Sequence, residues 1–153
     1  MSRPNYKAKQ VRGFFDEEFR LQKLSRQNDP LEKLLRHIDF ESFRPLLEKS
    51  LYKVVKSNAG ARPYDYVMMF KVLILQRYYN IGDDKMEFAI LDRLSFMRFL
   101  SLTLSDKVPD AKTIWHFREQ LIKEKAVEKL FDLFKEELHK KNLIANEGKM
   151  VDA

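Results

Sequence analysis

The segment "YVMMFKVLIL", residues 66–75, is apolar in nearly every direction a helix can face. A helix at a domain surface shows one apolar stripe, whereas a helix apolar all round is enclosed by protein. Any fold for this chain must therefore wrap other elements around residues 66–75. The run is broken by Lys71, and it is about half the ~20 apolar residues a membrane span needs. The opening "MSRPNYKAKQVRG" has no apolar core of the kind a secretory signal requires.

The wrapping elements read as helices. Only four glycines and five prolines interrupt 153 residues, and apolar residues recur at three- and four-residue spacing. That length suits one domain with a short extension. "DEEFRLQKLSRQ" predicts a short helix, partly apolar through Phe19 and Leu24. "NDPLEKLLRHI" opens with Asp29 as N-cap and Pro30 at the first helical position, where a missing N–H costs nothing. "DFESFRPLLEKSLYKVV" spaces Phe40, Phe43, Leu47, Leu51 and Val54 or Val55 on one face, and Pro45 either kinks it or begins a new helix. "KSNAGARP" is a loop by composition.

Gly82 and Asp83 end the central helix and open "DDKMEFAILDRLSFMRFLSL", expected to divide near Ser95. Met86, Ile90, Leu91 and Leu94 should face the core from its first half, and Phe96, Phe99 and Leu100 from its second. In "PDAKTIWHFREQLI", Asp110 is a good N-cap and Ile114, Phe117 and Leu121 face inward. Lys112, Thr113, His116 and Gln120 or Lys123 then fall on the opposite side. "KAVEKLFDLFKEELHKK" should bury Val127, Leu130, Phe131, Phe134 and Leu138. Glu136–Lys140 and Glu137–Lys141 form supportive pairs on its wet face, and Asn142 stops it. "GKMVDA", residues 148–153, reads as the opening of a strand.

The net charge of +6 is unevenly distributed. Arg3, Lys7, Lys9 and Arg12 stand in the first thirteen residues with no acid, and the remainder is nearly balanced. A second acid-free basic stretch runs Lys49, Lys53, Lys56, Arg62. Basic arms commonly neutralise phosphates, and they are also ordinary solvated termini; charge alone does not choose.

Several chemistries are excluded. With no cysteine there is no disulfide, thiolate zinc site or cysteine nucleophile. His37, His116 and His139 are far apart and lack metal-ligand spacing. No Gly-rich phosphate loop or nucleophile elbow occurs. Asp83–Asp84 sits at a helix start, where it serves the helix dipole. What remains is the stretch from Asp83 to Lys123: short helices, a turn, and a well-capped helix with polar residues in its first turn. That is a helix-turn-helix pattern, in which the helix N-terminus enters the major groove and its outward side chains reach base edges. Lys112, Thr113 and His116 suit that role, Trp115 suits contact with a base or sugar, and Lys123 and Arg118 extend the set, although Arg118, next to the inward Phe117, reads equally as an internal ion-pair residue. An ordinary amphipathic helix with a solvated face has the same pattern.

"DPLEKLLRHIDFESFRPLLE", "ARPYDYVMMFKVLILQRYYNIGDDKMEFAILDRLSFMRFLSL", "VPDAKTIWHFREQL" and "LIANEGKMVDA", in this order, resemble the N-terminal portion of bacterial insertion-sequence transposases of the DDE type. The insertion-sequence-five group is the nearest in kind, and the resemblance runs from about Asp29 to Ala153. It implies an all-α, compact helical bundle with a helix-turn-helix-like element, ending in the first strand of a truncated ribonuclease-H-like catalytic domain. It divides the chain into a basic arm and short helix (1–28), a helical DNA-binding domain (29–145) and the start of the catalytic domain (146–153).

The same resemblance makes Asp152 the first acid of the catalytic triad and a ligand of Mg²⁺ in the full-length enzyme. The second Asp and the final Glu are absent from this sequence, so the chain alone is expected neither to cleave nor to join DNA and to need no cofactor. A truncated gene, a first frame completed by frameshifting, or the leading domain of a longer protein would each end in this way. The implied partner is double-stranded DNA at the element's terminal inverted repeats, with self-association or pairing with full-length transposase beside it. Neither a membrane nor a small-molecule substrate is implied, and the expected location is the bacterial cytoplasm, at the nucleoid when DNA-bound. Arg62, in the "ARPYD" block, is read as bracing the central helix.

Overall fold

The computed structural model describes residues 2–51 and 62–143. Among the described residues every regular element is a helix: α1 (Asp16–Arg26), α2 (Pro30–His37), a 3-10 turn (Phe40–Phe43), α3 (Arg44–Leu51), α4 (Tyr66–Tyr79), α5 (Asp83–Asp92), α6 (Leu94–Leu100), α7 (Ala111–Lys123) and α8 (Val127–Lys140). Val54, Val55, Lys53, Lys56, Asp152 and the strand expected at 148–153 lie outside the described residues.

Helix α4 is the enclosed element, and every residue from Val67 to Gln76 is buried. Its Phe70 ring lies 5.0 Å from Phe43, 5.6 Å from Phe131 and 6.5 Å from Phe134. Phe40 meets Phe99 edge-on at 5.4 Å. The 3-10 turn, α4, α6 and α8 thus share one aromatic core, in which tilted and edge-to-face pairs add to area burial.

Lys71, the residue that interrupts the apolar run, is buried as well. Its ammonium donates to the Phe99 carbonyl at 3.0 Å and lies 5.0 and 5.4 Å from the centres of the Phe40 and Phe99 rings. Phe99 is in the last turn of α6, where carbonyls have no partner within the helix and the dipole end is negative. Lys71 therefore closes a neighbouring helix. Burial pushes its amine pKa down.

Four of the helix C-termini are closed without glycine. Asn80, Ser101, Lys125 and Asn142 adopt left-handed φ of 54°, 60°, 54° and 54°. Each lets the next N–H reach back: Ile81 to Gln76, Leu102 to Met97, Ala126 to Leu121 and Leu143 to Leu138, at 2.9–3.0 Å. These are Schellman closures, and in each the returning residue packs on the core.

Polar clamps set how the helices lie. Asp29 caps α2 through the Leu31 N–H at 3.0 Å and accepts from Arg98 of α6 at 2.8 Å. Arg98 also donates to the Leu21 carbonyl and Ser25 hydroxyl of α1, at 3.1 and 2.9 Å, and pairs with Glu32 at 2.8 Å. One guanidinium so ties α1, α2 and α6 together. The Ser25 hydroxyl, and then Arg98, hold the Glu32 carboxyl below its ordinary range. The brace of α4 is Arg44, 2.8 Å from the capping Asp65, while Arg62 is exposed.

Local departures have local causes. Met86, Ala89 and Ile90 fill the inward face of α5, so Leu91, turned about 100° further round, is 58% exposed. The break between α5 and α6 falls at Arg93, whose φ and ψ of −106° and 111° are extended. Pro45 lies in the first turn of α3 after the 3-10 turn, so it begins a helix. Phe19 is exposed, and Val127 is half-buried. Glu137 pairs with Lys140 at 3.4 Å instead of with Lys141.

A left-handed non-glycine residue costs about 1–2 kcal/mol, part of which glycine returns as chain entropy. Lys125→Gly should therefore raise the unfolding free energy by about 0.5–1 kcal/mol in urea denaturation. Lys125→Ala should leave it unchanged.

Candidate nucleic-acid interface

Helix α7 begins at Asp110, whose Oδ1 accepts the Thr113 N–H at 2.8 Å. The Thr113 hydroxyl, followed by that N–H, holds the Asp110 carboxyl below its usual range. Ile114, Phe117 and Leu121 are buried at the spacing of one inward face. On the opposite side Lys112, Trp115, His116 and Lys123 are exposed. Trp115 is 48% exposed, and its ring stands 5.0 Å from that of His116 at 68°. Ile122 extends the exposed strip. The strip joins two ammonium groups with a flat indole and an imidazole. Ammonium groups suit phosphates, and an aromatic face suits a base or sugar.

Thr113, expected on that side, faces elsewhere, and Arg118 takes the internal ion-pair role that was its alternative reading. Thr113 is half-buried and engaged with its cap. Arg118 turns into the protein: its two terminal nitrogens donate to both oxygens of Asp83 at 2.6 and 2.9 Å, and one reaches Gln76 Oε1 at 2.7 Å. Gln76 Nε2 closes the ring by donating to Asp83 at 2.7 Å. The Arg118 and Asp83 side chains are 29% and 24% exposed, and Gln76 is buried. Hydrogen bonding from Arg118, opposed by burial, holds Asp83 below its ordinary range. Arg118 therefore positions α7 against the start of α5 and the end of α4, and the outward strip is set by that clamp.

The connection from α6 to α7 runs over 101–110, longer than the three- or four-residue turn of a helix-turn-helix unit. It carries its own local bonds, with Asp106 accepting from the Thr103 N–H at 2.7 Å. The tight joint is the α5–α6 step at Arg93. Arg3, Lys7, Lys9 and Arg12 are exposed on an arm without regular structure over 2–13.

His37, His116 and His139 are all exposed. Among the described residues, no group of three or more His, Asp or Glu side chains could hold a metal ion. No described helix is long and apolar enough to cross a membrane.

The clamps built on Arg98, Arg44 and Gln76 were not foreseen from sequence. The available signal for Arg98 was a cation inside the apolar run "FMRFL", the same signal that Lys71 carries in α4.

Residues 19–120, from within α1 to near the end of α7, match the family described as Transposase domain (DUF772), and the chain belongs to that family. It is thus related to the proteins that carry out transposition. No solved structure matches the chain.

Arg118→Ala leaves Asp83 and Gln76 partly buried without their partner, and should lower stability by about 1–3 kcal/mol in chemical denaturation. The pH dependence has a definite sign. Asp83 and Glu32 titrate lower in the fold than in the unfolded chain, so their contribution is complete above the unfolded carboxylate range of about 4 and is lost as pH falls through the folded values. The urea midpoint should hold level from about pH 7 to 5 and drop below about 4. Asp83→Asn should make that drop shallower.

Proposed function

We propose that this chain is the leading, DNA-binding part of an insertion-sequence transposase of the DDE type, insertion-sequence-five group. The observation that carries the reading is the outward strip of α7, which collects Lys112, Trp115 and His116 within the matched transposase domain, and Lys123 just beyond it, on one exposed side. Its target is double-stranded DNA at the element's terminal inverted repeats. Lys112, Lys123 and the arm residues Arg3, Lys7, Lys9 and Arg12 neutralise phosphates, which supplies affinity and salt dependence. His116 and Trp115 address bases or sugars, as befits a helix laid in the major groove. Arg118 and Thr113 support the helix from within.

By the same resemblance Asp152 would be the first acid of a catalytic triad and would help hold Mg²⁺, which would supply the activation of the attacking oxygen. A second reading, self-association, is favoured by the exposed Phe88 and Leu91 on α5.

Gel-shift titration of the full chain with a duplex carrying the element's terminal repeats, and with a scrambled duplex of equal length, tests the reading. Tighter binding to the repeats is expected, with affinity falling steeply as salt rises. Lys112→Ala and Lys123→Ala should each reduce the salt slope by about 1, and Trp115→Ala should weaken binding by about 1–3 kcal/mol. Equal affinity for both duplexes removes the sequence reading, and no binding at low salt removes the function.

A further inference from the structure

Helix α1 buries none of its residues. Polar bonds hold its inward side, where Arg98 donates to the Leu21 carbonyl at 3.1 Å and to the Ser25 hydroxyl at 2.9 Å. The opposite side is open. Phe15, Phe19, Gln22 and Arg26 follow one another at four, three and four residues, the spacing of a single helical face, and all are exposed. Phe15 is 58% and Phe19 56% exposed. The Phe14 ring continues the row at 94% exposure, 5.2 Å from the Phe15 ring and turned 78° to it. Three neighbouring rings kept off the core make an apolar patch of the kind that marks a binding surface.

The charge around these rings is mostly positive. Arg12, Arg20, Lys23 and Arg26 are exposed there, against the exposed acids Asp16 and Glu18. Asp16 is already engaged, accepting the Gly13 N–H at 2.6 Å. Arg3, Lys7 and Lys9 add to the excess from the adjoining arm. The other acid-free basic stretch of the chain, Lys49 to Arg62, has the same sign and does not complement this face. A fitting occupant carries negative charge and flat apolar surface together. A nucleic-acid strand has both, in its phosphates and its bases. In a duplex the faces of the bases are covered by their neighbours and only the edges show in the grooves. Stacking of a ring on a base therefore calls for unpaired bases.

We infer that the Phe15–Phe19 face of α1, with Phe14, binds single-stranded DNA: the rings stack on unpaired bases while Arg12, Lys23 and Arg26 meet the phosphates. Naming DNA as the strand rests on the DNA-binding reading proposed above, but the site is separate from the strip on α7. The two surfaces suit different forms of the same partner. The α7 strip addresses paired DNA through a groove, and the α1 face takes strand whose bases are open. Arg98, which ties α1 to α6, keeps the second surface attached to the body of the domain.

Fluorescence anisotropy of the full chain with a labelled thymidine strand of about twelve nucleotides, at low salt, is the test. The strand should bind. Phe15→Leu with Phe19→Leu keeps the apolar bulk and removes the ring faces, and should weaken binding about fivefold or more. Phe15→Tyr with Phe19→Tyr should bind like the wild type. Since α1 buries no residue, both pairs should keep the wild-type urea midpoint. Both should also keep the affinity for a blunt terminal-repeat duplex, which Trp115→Ala weakens. A strand that does not bind, or leucine variants that bind it as the wild type does, would overturn the proposal. Strand binding lost with Trp115→Ala and kept with the leucines would overturn it by moving the site to α7. Binding to vesicles of anionic phospholipid and not to the strand would overturn it in favour of a lipid surface. A strand bound through the rings, with no binding of the duplex, would remove the α7 reading and leave this proposal standing.

Discussion

The bidentate pair between Arg118 and Asp83 decides which way α7 faces. A planar guanidinium gripping both oxygens of a carboxylate has little rotational freedom, and Gln76 closes the remaining side. The three residues come from α7, α5 and α4, so the clamp fixes the helix that bears the candidate interface relative to the most enclosed helix of the domain. With Arg118 held inward, Lys112, Trp115, His116 and Lys123 are left outward. The exposed strip depends on that internal contact.

The same device recurs elsewhere. Arg98 gathers α1 and α2 onto α6, and Lys71 closes the end of α6 from inside α4. Each places a cation within an otherwise apolar stretch and gives it carbonyl, hydroxyl or carboxylate partners. Aromatic packing around Phe70 supplies most of the burial, but such packing is tolerant of small shifts. Directional bonds from a few buried or half-buried cations restrict which shifts are possible. With no glycine at four of the helix ends, the Schellman closures carry a modest backbone cost, offset by the apolar residues they return to the core.

Much of the architecture was legible in the sequence because its causes are local or periodic. The enclosure of α4 follows from an apolar run with no wet side. The caps at Asp29 and Asp110 follow from a carboxylate within reach of the next few N–H groups, and Asn142 stopped α8 as its tolerance for left-handed backbone suggests. The failures were of two other kinds. Leu91 was assigned to the core because periodicity counts apolar residues without knowing which stripe the fold will cover. The partners of Arg98 and Arg118 lie far away in sequence, so pattern could mark a cation as internal without saying what it would hold. At α7 the inward residues were read correctly, and two of the polar ones, Thr113 and Arg118, proved to be engaged in holding the helix. The role assigned to Asp152 rests on resemblance alone, since that residue lies outside the described part of the fold.

Membership of a transposase-domain family, an exposed aromatic and basic strip on one well-anchored helix, and a basic arm are the three features on which the proposal of DNA as the partner rests. Trp115 makes that convergence directly measurable, because it is the single tryptophan of the chain and stands on the strip itself. Its fluorescence should be followed while a duplex carrying the element's terminal repeats is added. Emission that changes in intensity and wavelength, and saturates in step with binding measured independently, is the result expected if α7 faces the DNA. Binding that reaches saturation while the Trp115 emission stays constant would contradict it and move the interface to another surface.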